Sequence, residues 1–502
     1  MKTIGFKHQI EALQRMNGRE YYALFMEAGT GKTFTILADA ERLYAAGKID
    51  AVLVICPNGL QMNWVKREIP IHLEVPHIAR AWRSGAGVRE KKALDDLMAP
   101  RDVGEEIPLR ILVMNIEALN TPKGLDFCKR FLRITKCMMA IDESSRIKNP
   151  AAARTKKIIA LRDLAVVRRI ATGTPITKAP VDLFMQMEFL SDGLLGTTSY
   201  RSFVSEYAEL ADMSHPRFKS MIRENPRIAH AQIVERDALG NPIWRNLDKL
   251  QKIIQPNSFR VLKKDCMDLP DKIYTTRYFN LDSDQRKTYN ELRDELRIDF
   301  TALDAGQVLS VTALVAITKL QQITSGFVMV KGMDGPVYIS ENNARLEALE
   351  EIIEDIDGQF LIWARFREEI AAIARLLRAS GRTFVEYHGG VSSDDREIAV
   401  DSFQRGEVDI FLGQPQSGGI GLTLTAAGTV VYFSQDYNLE TRLQSEDRTH
   451  RIGTTKKVLY IDLVANDTID EKISISLQRK SEMATTILDR KQSTYREGSA
   501  VK

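Results

Sequence analysis

Apolar residues come along this chain in short unbroken runs. Positions 51–56, 111–114 and 137–141 form three such runs, and 169–172 is a weaker fourth. A strand covered on both faces has no solvent side to mark with polar residues. Continuous runs therefore predict parallel strands sandwiched between helices. A second group repeats the rhythm at 360–363, 383–387, 409–412, 429–433 and 458–461. Segments of helical period lie between the runs, 370–377 among them. Strands alternating with helices predict an α/β fold of two doubly wound parallel-sheet lobes.

The stretch from Leu183 to Leu346 reads as mostly helical, with polar breaks such as Asp237-Ala238-Leu239-Gly240-Asn241-Pro242. It predicts helical insertions between the lobes. The last segment opens on Thr468-Ile469-Asp470-Glu471, where a hydroxyl and a carboxylate can satisfy free amides at a helix start. Ile469, Ile473, Leu477, Lys480, Ala484 and Ile487 then share one face. The expected division is a first lobe at 1–190, insertions and a junction at 191–345, a second lobe at 346–467, and a terminal helix at 468–502 packing on the second lobe.

Composition changes this picture little. A chain of 502 residues exceeds one ordinary core. It is 44% hydrophobic and 27% charged, a globular balance, and no apolar run is long enough to span a bilayer. The first residues carry neither a signal-peptide core nor a transit-like segment, so a cytoplasmic protein with no membrane partner is expected. The net charge of +3 neither supports nor excludes nucleic-acid binding, because local patches outweigh the total. Cys56, Cys128, Cys137 and Cys266 stand far apart without zinc spacing, which predicts reduced thiols and no structural metal.

Two places carry chemistry. Phe25-Met26-Glu27-Ala28-Gly29-Thr30-Gly31-Lys32-Thr33 precedes an apolar helical stretch. A triphosphate needs unobstructed backbone amides, hence Gly29 and Gly31, with Thr30 between them. It needs a cation, which Lys32 supplies, and a hydroxyl on Mg²⁺, which Thr33 supplies. The strict pattern has Gly where Met26 stands; the looser helicase-type pattern is satisfied. The second place is Asp142-Glu143, ending an apolar run. There Asp142 can hold the metal and Glu143 can accept a proton from the attacking water. A glycine turn and an acidic loop are the bland alternatives, and order and spacing disfavour them.

Further residues resemble the SWI/SNF-type (sucrose-nonfermenting) ATPases of superfamily-two helicase-like proteins, in a compact bacterial or bacteriophage-like form. Asp142-Glu143-Ser144-Ser145-Arg146-Ile147-Lys148-Asn149 resembles the family's D-E-x-H-R-I-K-N box. Pro57, Leu60, Asn63, Trp64 and Glu68 follow its P…N-W…E motif. Ala171-Thr172-Gly173-Thr174-Pro175-Ile176 is similar to its T-G-T-P-I box. Arg260, Lys263 and Asp265, then Leu269-Pro270-Asp271-Lys272, resemble the junction stretch, and Leu320-Gln321-Gln322-Ile323 an element of the second insertion. In the second lobe, Tyr387-His388-Gly389-Gly390, the glycine run 418–421 with Leu422-Thr423-Leu424-Thr425, Gln444-Ser445-Glu446-Asp447-Arg448-Thr449-His450-Arg451-Ile452-Gly453 and Thr468-Ile469-Asp470-Glu471 complete the ordered set. The match runs from about Phe6 to Ile473.

The resemblance implies two RecA-like lobes and an ATP- and Mg²⁺-dependent motor on double-stranded DNA, with forked or single-stranded DNA as further possible substrates, acting as a monomer. It implies that Gln9 reads adenine, that Gly29, Thr30, Gly31, Lys32, Thr33 and Gly421 surround the nucleotide, and that Thr33 and Asp142 hold the metal. Glu143 would activate water, and Arg448 and Arg451 would act as arginine fingers from the second lobe. Pro57, Asn63, Thr172, Thr174, Gly389, Thr425 and Gln444 become candidates for DNA contact or coupling. A strand-separating helicase or branch-migration motor, and an ATP-gated clamp with little hydrolysis, are the alternatives. Four departures stand out: Ser145 for His, Thr423 for Asn, Gln416-Ser417 for a basic-Ala pair, and His8 where an aromatic often stands. Trp64 and Trp363 read as packing residues.

Overall fold

The computed structural model describes residues 1–83, 85, 87–99, 108–215, 223, 232–235, 242–267, 269–296, 311–330, 332–333, 335–340, 343–417, 422–451, 454 and 456–488. The polar break at 237–241 lies outside them. Two compact units emerge. The first comprises Met1–Glu235, Ile243–Met267 and Met483–Lys502; the second comprises Arg236–Pro242 and Asp268–Glu482.

The first unit is built on a seven-stranded sheet in which every pairing is parallel. Its strands are β1 (Tyr21–Met26), β2 (Ala51–Cys56), β3 (His77–Ala81), β4 (Leu109–Asn115), β5 (Cys137–Asp142), β6 (Val167–Ala171) and β7 (Ser258–Val261), in the order β3-β4-β2-β5-β6-β1-β7. The apolar runs become the interior: β2 and β5 are buried at every residue. Because all strands point one way, the residues after β1, β2, β5 and β6 emerge on one edge, where α/β sheets bind ligands.

The second unit holds a six-stranded parallel sheet in the order β12-β13-β11-β14-β15-β8. These are β8 (Lys272–Phe279), β11 (Phe360–Trp363), β12 (Phe384–Tyr387), β13 (Ile410–Gly413), β14 (Thr429–Tyr432) and β15 (Val458–Ala465). A small antiparallel hairpin, β9 (Phe327–Met329) with β10 (Pro336–Tyr338), stands beside them.

Two findings differ from the sequence-based expectation. The stretch read as helical insertions supplies an edge strand to each sheet, β7 to the first and β8 to the second. β8 is largely exposed, so burial never imposed an apolar run on it. The terminal helix Ile469–Leu488 buries Ile469, Ile473 and Leu477 in the second core, whereas Ile487 and Leu488 belong to the first. At its start the Thr468 hydroxyl accepts from the Asp470 amide at 3.2 Å. The Glu471 carboxylate reaches the Asp467 amide at 3.0 Å, one residue earlier than a capping box would place it.

Three cysteines are buried and Cys266 is partly so; all are free thiols. Burial pushes Cys128 up to about 12 and Cys266 up to about 11, so neither is a ready nucleophile. Among the described residues no helix is long and apolar enough to cross a membrane.

Candidate active site

The phosphate-binding loop follows β1, whose side chains from Tyr22 to Met26 are buried. Gly29 and Gly31 both sit at positive φ, 83° and 88°, a region ordinary residues avoid. Gly31 is doubly constrained, because a Cβ there would lie 1.9 Å from Nε2 of Gln9. The helix Lys32–Ala45 then begins, so its first free amides face the loop. Lys32 Nζ donates to the Met26 carbonyl at 3.2 Å and lies 4.0 Å from Glu143 Oε1. Thr33 is partly exposed at the helix start. Thr30 is fully buried and turns its hydroxyl to the Glu27 carbonyl at 2.8 Å, leaving only its backbone to the loop mouth.

Gln9, which the resemblance assigns to adenine, lies against this loop, and its amide is already engaged. Nε2 donates to the Thr30 carbonyl at 3.2 Å and Oε1 accepts from the Phe6 amide at 2.9 Å. One amide hydrogen and one lone pair remain for a base. His8 lies 2.8 Å through Nε2 from the same Thr30 carbonyl and stacks on Phe6. The sequence marked His8 only as a departure; its place on the phosphate loop came from the fold.

The acidic pair ends β5, two strands from β1. Glu143 takes a left-handed conformation, φ 55° and ψ 59°, which costs a non-glycine residue about 1 kcal/mol. That turn separates the two carboxyls. Asp142 Oδ2 accepts from Trp64 Nε1 at 3.2 Å, while Glu143 Oε2 accepts from the Thr172 hydroxyl at 3.2 Å. Trp64 is thus a buried packing residue, as expected, and also a hydrogen-bond partner of the expected metal ligand. Burial, then the Glu143 charge, push Asp142 up to about 6 against the pull of Lys32 and Trp64. Two adjacent carboxyls facing a single lysine leave local negative charge that a divalent cation would relieve. The donor set of Thr33, Asp142 and nearby backbone therefore fits Mg²⁺.

The T-G-T-P loop after β6 closes against both. Thr172 is buried, and its oxygen accepts from the Thr174 amide at 3.1 Å. Gly173 lies so near the phosphate loop that a Cβ would stand 3.3 Å from the Ala28 nitrogen. Arg260 Nη1 donates to the Gly173 carbonyl at 3.2 Å. Lys263 is nearly buried, with Cε about 3.7 Å from a Cβ built at Gly29. The sequence placed these two only in a junction motif. Pro57 is buried after β2, and Asn63 Nδ2 donates to Glu68 at 3.2 Å beside the π-helical turn Trp64–Glu68.

In the second unit, Arg448 and Arg451 lie just past the helix Leu439–Glu446, in a turn. Arg451 Nη1 donates to the Leu422 carbonyl at 2.9 Å and to the Thr423 hydroxyl at 3.1 Å. Thr423, one of the departures, thus holds an expected finger. Gln444 bonds Glu440 one turn back at 3.3 Å, and the Thr425 hydroxyl accepts from Gln404 at 3.3 Å. Gly389 follows β12, with Arg367 and Ser417 within 4 Å of a built Cβ. Gly421, the rest of the run at 418–420, Ile452 and Gly453 lie outside the described residues.

Beneath the arginines, Glu446 is buried and accepts from Lys272 Nζ at 2.9 Å, Arg442 Nε at 2.7 Å and the Tyr274 hydroxyl at 2.7 Å. Burial alone would raise its pKa; the two cations hold it down at about 2.

A glycine-bearing loop between a buried strand and a helix, with an acidic pair two strands away, is the layout of the phosphate-loop nucleoside triphosphatases. Within that class the chain belongs to the SNF2-related domain family, which matches residues 8–326; a helicase conserved C-terminal domain matches 344–453. The putative ATP-dependent helicase/translocase YwqA of Bacillus subtilis (strain 168) is 25% identical over 473 residues, covering 92% of this chain and 46% of that protein. The DNA annealing helicase and endonuclease ZRANB3 of Mus musculus is 25% identical over 468 residues, covering 92% and 40%. The chain therefore spans about half the length, or less, of the curated relatives it matches. A solved Sulfolobus solfataricus SWI2/SNF2 ATPase core in complex with dsDNA is 22% identical and covers 97% of this chain and 98% of its own, at a TM-score of 0.40.

Proposed function

We propose that this protein is an ATP hydrolase that uses the reaction to translocate on double-stranded DNA. The observation that carries the reading is the convergence at one sheet edge of Lys32, Asp142, Glu143 and Thr172. There the expected base, the expected phosphate cation and the T-G-T-P loop are within direct reach of one another. Family membership supports the same reading.

In this reading the amides of the loop, with Lys32, bind the phosphates of ATP. Gln9 turns its spare donor and acceptor to the adenine edge. Thr33 and Asp142 hold Mg²⁺, which supplies charge neutralisation at the phosphates when bound. Glu143 orients the attacking water and takes its proton. Arg448 and Arg451 stabilise charge that develops on the transferred phosphoryl group. Thr172, Thr174, Pro57, Asn63, Gly389, Thr425 and Gln444 contact or answer to the DNA backbone, so binding is independent of base sequence and sensitive to salt. We propose that it acts as a monomer in the cytoplasm of a bacterial cell or phage-infected host, its two lobes being the two units of the fold in place of a plan divided at 190, 345 and 467.

The test is ATP hydrolysis by the purified chain alone and with duplex DNA, single-stranded DNA or RNA, beside Glu143→Gln. Stimulation by duplex, lost in the variant, is the expected result. Preference for single strands or RNA would transfer the protein to the strand-separating class. Absent hydrolysis with intact DNA binding would leave a clamp.

A further inference from the structure

The helix Leu183–Leu190 runs beneath the site and buries Leu183, Phe184, Met187, Phe189 and Leu190. In this apolar company stands one amide, Gln186, with no exposed surface at all. A buried amide without partners is costly, because it gives up its bonds to water and gains none in return. This one is well provided. Oε1 accepts from the Ser144 hydroxyl at 2.8 Å, and Nε2 donates to the Pro175 and Asp182 carbonyls, both at 2.7 Å.

Its partners matter more than their number. Ser144 is the residue after Glu143 and is itself fully buried. Pro175 ends the T-G-T-P box, whose Thr172 hydroxyl bonds Glu143. Asp182 continues the chain of contacts: Oδ2 accepts from the Thr177 amide and hydroxyl at 2.8 and 2.9 Å and from the Lys178 amide at 2.8 Å. Lys148, from the end of the D-E box, donates to the same Thr177 hydroxyl. The loop at 173–178 and the turn bearing Glu143 are therefore clamped at two levels, above by Thr172 and below by Gln186.

We propose that Gln186 is a positioning residue that makes the Glu143 step depend on where the 173–178 loop lies. A shift of that loop pulls the Pro175 carbonyl and moves Ser144 through the amide, and with it the backbone that aims Glu143. This deepens the motor reading and rests on it: nucleic acid at Thr174 would be sensed by the carboxylate through a fixed, dry link.

The experiment compares full-length wild type, Gln186→Leu and Ser144→Ala in steady-state ATP hydrolysis with and without duplex DNA, alongside DNA binding and thermal melting. The milder Ser144→Ala cuts the link while removing a single oxygen, so it stands if the larger change unfolds the protein. The expected result is a loss of about fivefold or more in the ratio of stimulated to unstimulated kcat, with the KM for ATP and the DNA affinity each within about twofold. The double variant should be no worse than either single one. A folded Ser144→Ala or Gln186→Leu protein that keeps the full stimulation ratio overturns the proposal and leaves the motor reading standing. Equal losses with and without DNA mean a structural role alone and also overturn it. A wild type that duplex does not stimulate removes both.

Discussion

Glu143 occupies a backbone region that only surrounding structure can enforce, and its carboxylate is shared between Thr172 and the field of Lys32. Replacing it with Gln keeps shape and hydrogen bonding while removing the proposed base. Glu143→Gln should therefore lower kcat by about 10²-fold or more and leave ATP binding near wild type, read by single-turnover kinetics and nucleotide titration. Arg451→Ala should lower kcat by about 10³-fold, since a cation on a transferring phosphoryl group acts chiefly in the transition state. A change confined to KM would remove Arg451 from the transition-state role. Gly31→Ala asks a left-handed backbone to carry a methyl group aimed at Gln9, so nucleotide affinity should fall before stability does. Calorimetric titration with a non-hydrolysable ATP analogue checks it.

At the scale of elements, legibility followed burial. β2, β5, β11 and β14 lie inside their sheets and announced themselves as unbroken apolar runs. β8 escaped notice because Lys272, Thr275, Thr276 and Arg277 interrupt it and its sides face outward. β3, half-buried at the other edge of the first sheet, was equally silent. The site divided the same way. Lys32, Thr33, Asp142 and Glu143 could be named because local spacing marks them, and Thr172 because its box resembles the family's. Gln186 could not, and His8 and Lys263 were named without their place at the phosphate loop, because what places all three is a fold-level approach between segments far apart in sequence. The turn after the helix Leu439–Glu446 shows how deeply such approaches reach. Glu446 joins Lys272 of β8 to Arg442 one helical turn away, with its folded pKa near 2 against an ordinary 4.5. The folded value is the lower one. The ionised form thus stabilises the protein above pH 4.5, and that contribution, about 3 kcal/mol, drains away as the pH falls from 4.5 toward 2. Glu446→Gln should cost about 3 kcal/mol at neutral pH by taking from Lys272 its carboxylate partner, while Arg442 keeps Asp462 at 2.7 Å, and should flatten the acid limb of the stability curve in denaturant titrations.

Among the described residues the two most extensive buried apolar clusters lie chiefly one in each unit, so unfolding need not be a single transition. Calorimetry should resolve a component that ATP analogues raise, belonging to the first unit, and an acid-sensitive one belonging to the second. A net charge of +3 means that affinity for DNA must come from where the cations lie. With six to ten phosphate contacts, binding to duplex should weaken by about 10³-fold or more between roughly 50 and 200 mM salt, and should do so equally for unrelated sequences. Fluorescence anisotropy across a salt series measures it, and a flat response would count against a backbone-reading surface.

The register of β8 also sets a timetable for synthesis. All seven strands of the first sheet have been synthesised by residue 261, whereas Lys272 in β8 finds its register partner only at Val458. While residues 280–457 are being made β8 therefore waits with an open hydrogen-bonding edge, the kind of edge on which chains join one another. A nascent chain stalled or cut between residues 280 and 458 would carry a first sheet whose strands are all present and a sticky, unmated ribbon. Premature termination should thus leave inclusion bodies rather than a soluble half-protein.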